Sequence, residues 1–112
     1  MKIKTSELTG AALDWSVAKC EGVDAARTVN VFDFGEYYYN PSTDWSQGGP
    51  IIEREGIFVR PKTTGGWRCW IYDGKGEGIK FDQHGPTPLI AAMRCYVVSK
   101  LGDEVEIPEE LK

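Results

Sequence analysis

The chain has 112 residues, with 13 Lys and Arg against 17 Asp and Glu for a net charge of −4, and 41% of it is hydrophobic and 12% aromatic. That length suits one domain, which argues against a two-lobed enzyme with a cleft between lobes, and the apolar share is enough for a packed core, which excludes an intrinsically disordered chain. The excess of carboxylates argues against nucleic acid as a partner, because affinity for a phosphate backbone comes from cations that displace condensed counterions.

The opening residues Met1 to Glu7 carry positive charge with no apolar run after them, so no signal peptide is expected. The longest near-apolar stretch, Leu89 to Val98, is interrupted by Arg94 and too short to span a bilayer, so no membrane partner is expected either. Cys20, Cys69 and Cys95 are odd in number and widely spaced, which suits neither a disulfide framework nor a zinc pattern and points to a reducing cytoplasm.

In chain order, Thr9 as cap and Gly22 as stop bracket a first helix over Ala11 to Glu21. Leu13, Val17 and Cys20 line one of its stripes, with Ala11, Trp15 and Ala18 roughly opposite, so the helix has two apolar faces. From Val23 to Tyr39 the pattern fits a short strand or an extended loop. Asn40 to Asp44 is a turn cluster, Gly48-Gly49-Pro50 breaks the chain again, and Pro50 to Glu55 reads as a short helix, since proline is preorganised for a first helical turn. Ile57 to Arg60, Trp67 to Tyr72 and Gly78 to Asp82 are β-rich runs joined by turns, an antiparallel meander. Its middle strand carries Trp67, Cys69 and Ile71 on one face and Trp70 and Tyr72 on the other, so helices should cover at least one face. Thr87 as cap, Pro88 in the first turn and Gly102 as stop define a last helix, Leu89 to Leu101, apolar nearly all round and therefore central. Residues 103–112 hold five carboxylates and read as an acidic tail in which Val105 and Ile107 offer one edge contact at most.

Leu8-Thr9-Gly10, the helix with Leu13-Asp14-Trp15 and Ala18 to Gly22, the block Asn40-Pro41-Ser42-Thr43-Asp44-Trp45 to Gly48-Gly49-Pro50-Ile51-Ile52-Glu53, and Gly85-Pro86-Thr87-Pro88-Leu89 to Tyr96 together resemble the NinX-type small proteins of tailed, lambda-like phages. The resemblance spans nearly the whole chain. More loosely, the order of elements is similar to phage domains with an α/β/α sandwich. The resemblance implies a phage accessory protein acting in the cytoplasm of the bacterial host, and it implies no chemistry.

The residues themselves supply little chemistry. A cysteine nucleophile with His84 as base lacks an orienting group and an electropositive setting, so the cysteines read as small core hydrophobes. One histidine and no Cys-x-x-Cys give no metal site, and no cofactor is expected. Glu53 and Glu55 flanking Arg54 read as charges on the wet side of a short element. Gly48-Gly49 has no following Lys-Ser or Lys-Thr and so is no phosphate loop.

Two features invite binding. Trp15 lies off the main stripe of its helix, and Tyr37, Tyr38, Tyr39 and Trp45 crowd what should be a surface connection, where aromatics with polar handles add contact area at low entropic cost. The candidate surface therefore runs from Trp15 through Tyr37, Tyr38, Tyr39, Asp44 and Trp45 to Gly48 and Gly49. The other feature is the start of the last helix, where free amides beside His84 and Thr87 could attract an anion. Arg94, the one cation between Leu89 and Val98 of the last helix, should pair with an acid or with carbonyls of the Asn40 to Glu55 segment as a structural strut. The expectation is one α+β domain over residues 1–112, a three-stranded antiparallel sheet packed with two to three helices in an α/β/α-like sandwich. Its expected function is non-enzymatic: binding a host or phage protein through the aromatic loop, with self-association into a homodimer left open. Binding of a phosphate- or carboxylate-bearing metabolite at Thr87 is the alternative.

Overall fold

A computed structural model describes residues 1–23 and 39–111. Strand β1 (Lys2–Lys4) runs through a 3-10 turn (Thr5–Glu7) into helix α1 (Gly10–Glu21), and α2 (Trp45–Glu55) precedes the meander β2 (Phe58–Pro61), β3 (Trp67–Tyr72) and β4 (Ile79–Gly85). Helix α3 (Pro88–Leu101), strand β5 (Glu104–Glu106) and a last 3-10 turn (Glu109–Leu111) complete the chain. The class is α+β, as the sequence leads one to expect: among the described residues are three α-helices, an antiparallel sheet in the order β2-β3-β4, and a two-stranded sheet of β1 with β5.

Helix α3 organises the core. It lies across all three strands of the meander and receives α1 and α2 against its remaining surface. This is why its sequence is apolar all round: Leu89, Ala91, Ala92, Met93, Cys95, Tyr96, Val97 and Val98 are all buried. Leu13 and Val17 of α1, Ile51 of α2 and Cys69 of β3 close the same cluster. No helix among the described residues is long and apolar enough to cross a membrane.

Helix α2 is longer than its sequence suggests. Asp44 caps it by accepting the Ser46 amide at 2.9 Å, so the helix begins at Trp45 and carries Gly48, Gly49 and Pro50 inside it. Pro50 is exposed, with its ring toward water. Strand β4 also runs further than the expected end at Asp82, because Gln83, His84 and Gly85 continue to pair with Cys69, Arg68 and Trp67. The expected strand or loop over Val23 to Tyr39 falls mostly outside the described residues.

Residues 103–111 are not a loose tail. Lys2, Ile3 and Lys4 pair antiparallel with Glu106, Val105 and Glu104. The Thr5 amide donates to the Asp103 carbonyl at 2.7 Å, and the Ile107 amide to the Met1 carbonyl at 2.8 Å. The physical reason is the two-residue period of a strand: Val105 and Ile107 turn inward together, 4% and 1% exposed, while Glu104 and Glu106 face water. Acidity describes one side of this strand only.

Candidate functional site

The start of α2 and the start of α3 lie side by side, and hydrogen bonds to α2 and α1 lock the segment before α2. Asn40 donates its amide to Gln47 Oε1 and accepts from Gln47 Nε2, both at 2.8 Å. The Ser42 amide donates to Asp14 Oδ1 of α1 at 2.9 Å, and burial pushes that carboxyl above its ordinary value. Hydrogen bonds from Ser46, with a further one from Gln47, hold the Asp44 carboxyl below its ordinary value. So fixed, Asn40 to Asp44 delivers Trp45 to the surface, where the ring is 55% exposed.

Trp45 borders a shallow depression of about 240 Å³ formed with Ser42, Thr43, Thr87, Pro88, Leu89 and Ile90. Two features far apart in sequence, the aromatic segment and the Thr87 helix start, thus share one wall. Gly48 is what lets them meet: a Cβ there would stand 2.5 Å from the Pro41 carbonyl oxygen and 2.6 Å from Leu89 Cδ2. Gly49 has its nearest neighbour in the Trp45 ring, 4.0 Å from where a Cβ would lie.

The other expected residues are dispersed. Tyr39 is half-buried against the core, as is Trp15, whose ring lies 5.3 Å from the Lys19 ammonium. Tyr37 and Tyr38 lie outside the described residues. The Thr87 hydroxyl accepts the Ile90 amide at 3.1 Å, so it caps α3. His84 lines a different depression, with Ser6, Lys62, Asp82 and Arg94. Arg94 does bond to carbonyls, but not to those of Asn40 to Glu55: Nε donates to Leu8 O at 2.7 Å and Nη1 to His84 O at 2.9 Å. The helical period sets this direction, for Arg94 leaves α3 between β4 and the turn before α1, away from α2. Burial lowers its pKa.

Burial pushes the Cys69 and Cys95 thiols up to about 12 and the Cys20 thiol up to about 11, which favours the protonated thiol in all three at neutral pH. Among the described residues no group of three His, Cys, Asp or Glu side chains is placed to hold a metal ion.

Two clusters escape a reading by local pattern. Arg54 of α2 grips Glu21 of α1 with Nη1 at 3.0 Å and Nη2 at 2.5 Å, also bonds Glu55, and lies 5.7 Å from the Tyr96 ring. Tyr96 donates its hydroxyl to the same Glu21 carboxylate. The signal was a tyrosine in an otherwise apolar helix, whose hydroxyl needs a partner once buried. The second cluster lies on the face of the meander turned away from α3. Phe58 stacks on Trp70 with ring centres 5.5 Å apart, Tyr72 meets Phe58 edge-on at 5.0 Å, and the Arg68 guanidinium sits 5.0 Å from the Trp70 ring. Phe58 and Tyr72 are about half exposed, so these rings are a surface rather than a second core. Alternation in β3 gives Trp70 and Tyr72 their side, whereas Phe58 joins them only through the register Phe58↔Trp70.

No curated protein matches the chain. A family model described as "Bacteriophage P22, NinX" matches residues 4–100, which takes in α1, α2, the whole meander and all of α3 but its last residue. With that span matched, the chain belongs to the NinX family of bacteriophage proteins.

Proposed function

We propose that this protein serves the phage as a non-enzymatic accessory factor that binds a protein of the host or the phage through the surface around Trp45. The observation that supports this reading is the exposure of a large indole on a rigid mount: Trp45 stands at the first turn of a capped helix beside a depression with an apolar floor of Pro88, Leu89 and Ile90. A fixed aromatic beside a shallow apolar hollow is what protein interfaces use as an anchor, because burying it removes much area from water and orders few rotatable bonds.

A photo-crosslinking residue placed at Thr43, on the rim of the depression, tests this in phage-infected cells. The expected result is one discrete crosslinked protein, identified by mass spectrometry, whose yield falls at least tenfold when Trp45→Ala is added. A crosslink to a second copy of the chain would make the contact a homodimer. A yield that ignores Trp45→Ala would refute the surface.

A further inference from the structure

We propose that the outer face of the β2-β3-β4 sheet binds single-stranded nucleic acid, stacking bases on the exposed rings of Phe58 and Tyr72, which Trp70 backs, and holding phosphates with Arg60 of β2 and Lys62 of the β2-β3 turn. The net charge of −4 is an average that hides a division within the chain. Residues 57–85 hold five Lys and Arg against three Asp and Glu, while the remainder holds eight against fourteen. The meander is thus a locally basic unit in an acidic protein, and it is the meander that displays the aromatic rings.

The register arranges the two kinds of group in columns. Phe58, Trp70 and Asp82 pair across the sheet in one column, and Arg60, Arg68 and His84 in the next. Columns two residues apart on a strand are separated by about 7 Å, so a base lying on Phe58 has cations beside its own backbone. Asp82 is committed to Arg68 at 2.7 Å and neutralises it, which leaves Arg60 and Lys62 as the net positive pair. Both line a groove of about 230 Å³ with Pro61, Thr63, Thr64 and Arg68, and Lys62 also lines the depression at His84 and Arg94. Two grooves with cations in their walls therefore meet at Lys62, toward the β2-β3 turn. Aromatic faces that bases can stack on, edged by cations that follow a backbone, are the two components by which single strands are held without sequence preference. A duplex buries its base planes and offers this face nothing to stack on. An apolar protein segment would cover the rings but would leave Arg60 and Lys62 without counter-charge.

Fluorescence anisotropy of the full chain with labelled oligo-dT and oligo-U of about 15 nucleotides, and with a duplex of the same length, tests the proposal. Binding of the single strands is expected, stronger than to duplex and weakening as salt rises. Phe58→Ala and Tyr72→Ala, both at exposed positions, should each weaken it roughly tenfold, the order expected for one stacked base. Arg60→Glu with Lys62→Glu should abolish it, and Trp45→Ala should leave it unchanged, which separates this face from the proposed protein contact. Far-ultraviolet circular dichroism and melting temperature establish that each variant is folded. Absence of single-strand binding at low salt, equal affinity for duplex, or indifference to Phe58→Ala and Tyr72→Ala in folded protein would each overturn the proposal, the last by reducing the interaction to diffuse charge.

Discussion

Glu21 receives hydrogen bonds from two helices at once, from Arg54 of α2 and from Tyr96 of α3. The Arg54 guanidinium first, and the Tyr96 hydroxyl after it, hold the Glu21 carboxyl below its ordinary value of 4.5. Burial first, and then the Glu21 charge, push the Tyr96 phenol up, so it stays a donor throughout the working range. A carboxyl whose folded pKa is depressed contributes stability that is fully present above its unfolded value and is lost as pH falls through the folded one. Arg54 is half exposed, so solvent screening limits what the ion pair adds. Glu21→Gln should therefore cost about 1 kcal/mol in urea melts at about pH 7, and the gap to the parent protein should narrow as the pH falls below the ordinary carboxyl value and close once the parent carboxyl is protonated. A gap that persists unchanged in acid would mean that packing, and not charge, holds the three helices here.

Helix α2 shows where local pattern misleads. Gly48-Gly49-Pro50 is a breaker by propensity, yet it lies inside the helix because the Asp44 cap sets the start and because two segments must come close at Gly48. The meander was legible for the opposite reason: its turns, Thr63 to Gly66 and Asp73 to Gly78, bear glycines at positive φ where the backbone reverses. The limits of β4 were not legible, since pairing with β3 and not side-chain pattern carries it to Gly85. Of the candidate site, the aromatic Trp45 could be read from composition, while its neighbours Leu89 and Ile90 could not, because no local period links residues forty apart. Gly48 and Gly49 give a paired test of this account. Gly48→Ala should destabilise by about 1–3 kcal/mol, because the added methyl meets a backbone carbonyl that cannot rotate away. Gly49→Ala, with no neighbour closer than the Trp45 ring, should stabilise by about 0.5–1 kcal/mol through helix propensity. Chemical denaturation of the two variants should give opposite signs, and a matching gain for both would remove the close approach at Gly48 as the reason for a glycine there.

At the scale of the molecule, the termini close the fold. α3 emerges from the core at Gly102, and the chain turns back to pair β5 with β1, so that the first and last strands cover the end of the helical layer with Ile3, Val105 and Ile107. The Met1 ammonium donates to the Ile107 carbonyl at 3.2 Å and pairs with Glu106 at 3.3 Å. That ion pair is exposed and adds little; the buried aliphatic side chains carry the energy. Ending the chain after Gly102 would strip β1 of its partner, remove the Asp103 carbonyl that accepts the Thr5 amide and take Val105 and Ile107 out of the core. The truncated protein should lose at least about 3 kcal/mol, a fall in melting temperature of more than about 10 °C for a domain of this size. Because such a truncation could leave no folded protein to measure, Ile107→Ala in the full chain is the finer test, with an expected cost of about 2–5 kcal/mol. A cost below about 0.5 kcal/mol would place Ile107 at the surface in solution and return residues 103–112 to the status of an acidic tail.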